Sequence, residues 1–208
     1  MIVVPCEQGT PEWMAARVGI PTASNFSRIL TPKKLERSRS SSKYINELVA
    51  ERLLGASLDD GFLSEWVDRG KDLEEKAFAH YEWANDVDVE RVGFVMHDKF
   101  KVGCSPDGLI RSRKRGLELK CPKPSTHVGY LLDGLTDEYR CQVQGSLWVT
   151  GLEWWDLMSF HPDLPPAILR VERDEKFMAA FDREIKTFCQ SVDECEAKIR
   201  AKTEEAAA

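Results

Sequence analysis

Hydrophobic spacing divides the chain into helical and extended stretches. Near the C-terminal end Phe177, Phe181, Ile185, Phe188, Val192, Cys195 and Ile199 recur at helical intervals. That stripe predicts a helix over about 174–204 packed on a core, with fraying from Thr203 onward. A second helical pattern covers 62–85, and a third covers 44–56 through Tyr44, Leu48 and the Leu53–Leu54 pair. Thr10-Pro11-Glu12 reads as a helix start, with Thr10 as cap and Pro11 in the first helical position. Gly19 and Pro21 break that helix, and Thr22-Ala23-Ser24-Asn25 opens the next. Extended patterns fall at 87–89, 91–97, 107–110, 116–120, 154–160 and 167–171. Residues 125–150 read as largely helical, with a loop near Gly134, and 31–43 as a mobile basic loop.

The runs at 107–110 and 116–120 carry the candidate chemistry. Joined through the basic turn Arg111 to Arg115, they form a hairpin that brings Asp107 close to Glu118. Side chains alternate along a strand, so Glu118 and Lys120 share one face while Leu117 and Leu119 point to a core. Two converging carboxylates repel unless a cation lies between them, and oxygen ligands suit a hard ion such as Mg²⁺. A neighbouring lysine can orient or deprotonate a metal-bound water, or offset charge on a phosphate. Taken alone, the same pattern also fits a surface hairpin with ordinary charges.

Two further groups extend the picture. Glu74 shares its helix face with Ala77, Phe78 and Tyr81, whereas Glu75 shares Ala79 and Glu82 and faces water. A carboxylate on an aromatic face is costly without a partner, which makes Glu74 a candidate third acid. Upstream, the hydroxyls and amides near Thr22–Asn25 offer a phosphate seat within reach of Arg17; simple capping is the plainer alternative.

Composition changes the picture little. At 208 residues, 42% hydrophobic and 31% charged, the chain reads as one sizeable globular domain. No apolar run is long enough for a transmembrane helix, and the N-terminus lacks the basic start of a signal peptide. Six scattered cysteines without C-x-x-C spacing predict reduced thiols in a cytoplasm, and the four histidines lack ligand spacing. The net charge of −6 argues mildly against a nucleic-acid partner, yet basic runs at 33–43 and 111–115 leave the partner open.

The order of motifs decides among these readings. Trp13…Arg17-Val-Gly-Ile-Pro-Thr-Ala-Ser24, Gly70-Lys-Asp-Leu-Glu74, Cys104-Ser-Pro-Asp107-Gly-Leu, Gly116-Leu-Glu118-Leu-Lys120-Cys-Pro122, Gln142-Val-Gln144…Leu-Trp148-Val-Thr150 and Val171-Glu-Arg-Asp-Glu-Lys176 follow one another in register. Together they resemble the phage lambda exonuclease, or YqaJ-type viral recombinase, family over nearly the whole chain. The resemblance implies a restriction-endonuclease-like α/β fold: one nuclease domain over 1–208, with a mixed central sheet flanked by helices and a PD-(D/E)xK site. Within it, 10–56 would build part of the DNA-end site and about 62–175 the catalytic core.

The resemblance also implies roles. Asp107, Glu118 and the Leu119 carbonyl would bind metal, Lys120 would position or activate water, and Glu74 would serve a second ion. Gln142 would help to hold the site, with Gln144 as the alternative. Arg17 and Ser24 match residues holding a 5′-terminal phosphate, and Lys33 or Lys34 could supply a further basic contact. Two Mg²⁺ ions, with Mn²⁺ as substitute, would support 5′-to-3′ degradation of duplex DNA ends to 5′-mononucleotides. Homotrimeric rings, a single-strand annealing partner and a bacterial host cytoplasm complete the expectation. An endonuclease on the same fold and a non-catalytic DNA-end clamp are the rivals.

Overall fold

The computed structural model describes residues 1–58, 65–134 and 137–207, with the side chains of 65–72, 113 and 207 outside that description. The expected first turn at 62–64 and the side chains of the Gly70–Asp72 motif therefore lie outside the described residues. Fourteen elements matter here. β1 (Ile2–Val4) and α1 (Pro11–Arg17) precede a 3₁₀ turn at Ala23–Arg28, and then come α2 (Ser41–Leu54), α3 (Glu65–Asn85), β2 (Phe94–Met96) and β3 (Gly103–Cys104). β4 (Gly108–Ile110), β5 (Arg115–Lys120), α4 (Pro124–Asp133) and α5 (Arg140–Thr150) follow. β6 (Trp154–Ser159), β7 (Ala167–Glu172) and α6 (Glu175–Ala207) complete the chain.

The strands form two sheets, one ordered β1-β2-β3 and one β4-β5-β6-β7. In the second, β5 pairs antiparallel with β4 and parallel with β6, so the sheet is mixed, as expected. A parallel neighbour needs a crossover, and α4 and α5 supply it. α3 covers one face, where Ala77, Phe78 and Tyr81 pack on Leu117, Leu119 and Met158. α5 and α6 serve the other core, which joins Trp155 and Leu157 to Leu147, Phe177 and Phe181. The central strand β5 is thus buried on both faces.

Two close approaches fix this packing. A Cβ on Gly145 of α5 would lie 2.1 Å from the Phe26 ring, and one on Gly116 of β5 would lie 2.4 Å from Trp155. Any larger side chain would push α5 off the 3₁₀ turn or Trp155 off the sheet. At the start of α6, Asp174 Oδ1 accepts the N–H groups of Lys176 and Phe177. Its Oδ2 takes Arg140 Nη2 at 2.5 Å, which links the first turns of α5 and α6.

Several sequence expectations change. β1 was missed because a three-residue strand leaves almost no periodicity. Residues 87–89 are irregular, with only the Glu90–Leu109 bridge beside them, and the strand expected over 91–97 narrows to β2. The helix expected at Thr22–Asn25 is a short 3₁₀ turn without a side-chain cap. The basic segment after it is closed on itself: Thr31 N–H donates to Glu36 O, Ser38 N–H donates to Ile29 O, and Leu30 bridges Arg37. Helix α6 continues through Thr203 to Ala207. Among the described residues no helix is long and apolar enough to cross a membrane.

A buried polar cluster ties α3 to the sheet. Asp156, 1% exposed, accepts the Tyr81 hydroxyl at 2.6 Å and Arg170 Nε at 3.0 Å, and pairs with Arg115 Nη1 at 3.1 Å. Arg115 is itself buried, and its Nε and Nη2 have no acceptor among the described residues. Removing one partner of a buried pair leaves an uncompensated charge and costs about 3–5 kcal/mol, whereas one neutral hydrogen bond is worth about 1 kcal/mol. Asp156→Ala should therefore lower the unfolding free energy in urea several times more than Tyr81→Phe. Equal losses would mean that the charge pairing is not what the cluster supplies.

Candidate active site

The site lies where β5 leaves the sheet. Strand β4 begins at Gly108, opposite Leu117, so Asp107 stands just beyond the β4–β5 ladder. Its Oδ2 accepts the Leu119 N–H at 2.6 Å, capping a backbone group that the ladder no longer serves. The N–H and C=O of one strand residue leave by the same edge, so the Leu119 carbonyl points toward this opening as well. Lys120 O, one residue on, faces β6 and accepts Phe160 N–H at 2.9 Å.

Glu118 is 4% exposed, which excludes the surface-hairpin alternative. Its Oε1 accepts Lys120 Nζ at 2.6 Å and Gln142 Nε2 at 2.6 Å. Gln142 comes from the first turn of α5, and Tyr139, three residues earlier, sets its ring 5.1 Å from Lys120 Nζ. Gln144 is engaged elsewhere: it donates to Glu172 O and accepts Asp174 N–H. Of the two glutamines, Gln142 alone touches the acid.

The electrostatics follow from two buried carboxylates and one ammonium. Asp107 retains some surface, yet burial first and Glu118 second push its carboxyl well above the ordinary aspartate range, against the pull of the Leu119 N–H. Glu74, half-buried, is also raised by burial; Lys120 offsets this, while Glu118 adds to it. For Lys120, burial favours the neutral form, but Glu118 and Asp107 outweigh it and hold the ammonium above its usual value. In the metal-free protein Lys120 is thus held as a cation, a form suited to orienting a water rather than deprotonating it.

Among the described residues no three His, Cys, Asp or Glu side chains close into a metal cage. The expected three-acid set is therefore not closed: Asp107, Glu118 and Glu74 interact through space, Glu118 more strongly than Glu74 on Asp107. Two hard carboxylates short of positive charge, with a carbonyl beside them, still fit Mg²⁺, which keeps several waters and is commonly held by one or two carboxylates plus substrate phosphate.

A second cluster abuts the first. Arg17 Nη1 donates to Ser105 Oγ at 2.8 Å, Arg17 Cζ lies 4.2 Å from the centroid of the Trp13 ring, and Trp13 Nε1 donates to the same hydroxyl at 2.9 Å. Ser105 precedes Asp107 by two residues, at most about 7 Å along the backbone. The parallel bridge between Thr22 and Gly103 brings the 3₁₀ turn alongside, and Ser24 Oγ, exposed, lies 3.3 Å from Thr22 Oγ1. Sequence reasoning found Arg17 and Ser24 but missed Ser105 and Tyr139; the Ser-Pro-Asp spacing was the available signal for the serine. Lys33 is drawn to Asp137 at 3.6 Å, and Lys34 is exposed on the same turn. Among the described residues neither pairs with Asp107 or Glu118.

The raised carboxyl of Asp107 has a consequence for stability. A group that holds its proton more tightly when folded stabilises the fold at low pH. That contribution is lost as pH climbs from about 3.9, the unfolded value, through the folded one. Asp107→Asn should accordingly raise the melting temperature of the metal-free protein at pH 8, by about 2–4 °C for each kcal/mol recovered. It should also flatten the decline between pH 4 and 8 in calorimetry. A lower melting temperature at pH 8 would contradict the assignment of strain to this carboxylate.

Comparison with known proteins agrees with the motif order. The model of the YqaJ-like viral recombinase domain matches residues 12–153. The alkaline exonuclease LHK-Exo from Laribacter hongkongensis, also solved in complex with dAMP, is 30% identical over 95% of this chain and 100% of its own, with a TM-score of 0.83. A phage-related exonuclease from Haemophilus somnus shares the fold at 14% identity and a TM-score of 0.67, over 86% of this chain and 96% of its own. ExoD of Escherichia coli (strain K12), an uncharacterized protein, is 34% identical over 70 residues, which are 32% of this chain and 80% of ExoD. With its restriction-endonuclease-like fold and a family match covering most of its length, the chain belongs to the YqaJ-like viral recombinase, or lambda exonuclease, family.

Proposed function

We propose that this protein is a Mg²⁺-dependent 5′-to-3′ exonuclease that degrades duplex DNA from its ends and releases 5′-mononucleotides. The observation that carries the reading is the convergence of Asp107, Glu118, Lys120 and Gln142 at the end of β5, with the Arg17–Ser105 pair beside them. Asp107, Glu118 and the Leu119 carbonyl would hold Mg²⁺, with Mn²⁺ as a substitute and Glu74 serving a second ion. When bound, the metal supplies Lewis acidity and screens the carboxylates from the incoming phosphate.

The chain's own groups then divide the work. The Lys120 ammonium orients the attacking water and offsets charge on the phosphate, while Gln142 holds Glu118 in one rotamer. Water forms the new P–O bond, the P–O3′ bond breaks, and the departing 3′ oxygen takes a proton. The released nucleotide carries its 5′-phosphate, and the shortened strand begins with a 5′-phosphate of its own. Each turnover therefore regenerates the end that Arg17, Ser105 and Ser24 are suited to hold. Ser105 of that seat lies two positions before Asp107, at most about 7 Å along the backbone. A homotrimeric ring and a single-strand annealing partner complete the proposal, and sedimentation gives the first check on the ring.

With Mg²⁺, linear duplex bearing a 5′-phosphate should be degraded to mononucleotides, 5′-hydroxyl ends more slowly, and closed circles not at all. Cleavage of circles would identify an endonuclease instead. Lys120→Ala should lower kcat by about 10²–10⁴-fold while leaving DNA binding in place. Binding without cleavage by the wild type would identify a clamp. Arg17→Ala should erase most of the preference for 5′-phosphate over 5′-hydroxyl ends, a loss of about 10- to 150-fold for hydrogen bonds from a charged donor. An unchanged preference would place the phosphate seat elsewhere.

A further inference from the structure

The tyrosine ring over Lys120 has no role in the chemistry above. Tyr139 ends a 3₁₀ turn (Asp137–Tyr139) and stands at the cap position of α5, three residues before Gln142. One turn of chain thus delivers two contacts to one pair of charges: an amide onto the Glu118 carboxylate and an aromatic face toward the Lys120 ammonium. The ring is held from behind, because the Tyr139 hydroxyl lies 3.1 Å from that of Tyr130, which is 7% exposed on α4. Arg140, the next residue, donates to Pro32 O at 2.7 Å and anchors the turn against the segment after the first 3₁₀ element.

A lysine on a four-carbon stem has many rotamers to lose, and a single carboxylate partner restrains only its tip. An aromatic face within about 6 Å attracts the cation without accepting its hydrogen bonds. We propose that Tyr139 is a positioning residue for Lys120: its ring, rather than its hydroxyl, keeps the ammonium where it meets the water and the scissile phosphate. The proposal rests on the exonuclease reading above for its catalytic purpose, but the contact itself does not.

The strength of a partly desolvated cation–π contact converts to about 2- to 30-fold in rate. On linear 5′-phosphorylated duplex, Tyr139→Leu should lower kcat by that factor while KM for DNA ends stays within about 2-fold. Tyr139→Phe, which keeps the ring, should recover most of the loss. If the leucine variant does not fold, Tyr139→Met serves in its place. Equal losses in the ringless and phenylalanine variants would move the role to the hydroxyl, and a rise in KM alone would make Tyr139 a DNA contact; either overturns the proposal. A second arm needs no activity. In protein carrying ¹³C-lysine, the Lys120 side-chain signals, identified by their absence in Lys120→Arg, should show an upfield ring-current displacement. Tyr139→Leu should remove it and Tyr139→Phe keep it. No displacement in the wild type overturns the proposal whatever the rates. A wild type that shows the displacement but cuts nothing retires the exonuclease reading instead, and the catalytic purpose falls with it.

Discussion

The structure is organised around an electrostatic deficit: Asp107 and Glu118 are held together in a poorly solvated place with a single ammonium between them and neutrality. Carboxylates in that position repel one another, and Asp107 resists ionisation, so the fold must hold the two together. It does so with the stiffest parts it has. Asp107 is fixed by a strand N–H, Glu118 by a strand buried on both faces, and Gln142 by a helix whose Gly145 lies against Phe26. A looser frame would let the two acids part and would lose the site.

The same sheet contains a contrasting case. Asp156, on the face covered by α3, is as deeply buried as any charge among the described residues. It receives a tyrosine hydroxyl and two guanidinium groups. Its charge is met by the protein, and it serves as a joint between α3 and β6. Asp107 and Glu118 receive one backbone N–H, one amide and one lysine. A buried acid with all its donors supplied by the chain is architecture. A pair left short of positive charge is one that a bound cation would complete. Two turns of α3 connect the cases, since Tyr81 locks on Asp156 and Glu74 lies seven residues earlier on the same face.

Much of this was readable from residue spacing. The helix face of Glu74, the β4–β5 hairpin and the stripe on α6 follow from periodicities of 3.6 and 2, which persist over enough residues to be seen. Thr10 and Pro11 marked the start of α1 because their effect on the backbone is local. What stayed hidden depends on distance in sequence. β1 acquires its identity only from pairing with β2, some ninety positions away. Ser105 matters because Arg17 and Trp13 arrive from another element, and Tyr139 because α5 is laid over β5. The choice between Gln142 and Gln144 was likewise a tertiary matter, settled by which of them faces Glu118 and which the α6 cap.

The placement of charge removes the apparent conflict between an acidic chain and the proposed DNA substrate. The basic turn after β4 offers less to DNA than its sequence suggests: Arg111 pairs with Glu90, Lys114 with Glu153 and Arg115 with Asp156. Arg28 pairs with Glu47, and Arg52 with Asp193 and Glu196. These partners neutralise one another at short range, so neither the net charge of −6 nor the length of a basic run measures what a phosphate meets on approach. What counts is the field at the end of β5. There Arg17 and Lys120 flank two acids whose mutual repulsion a divalent cation would relieve. With a cation seated there, the local balance would turn positive where a phosphate would arrive, and a net acidic chain would be no obstacle to the proposed binding of DNA.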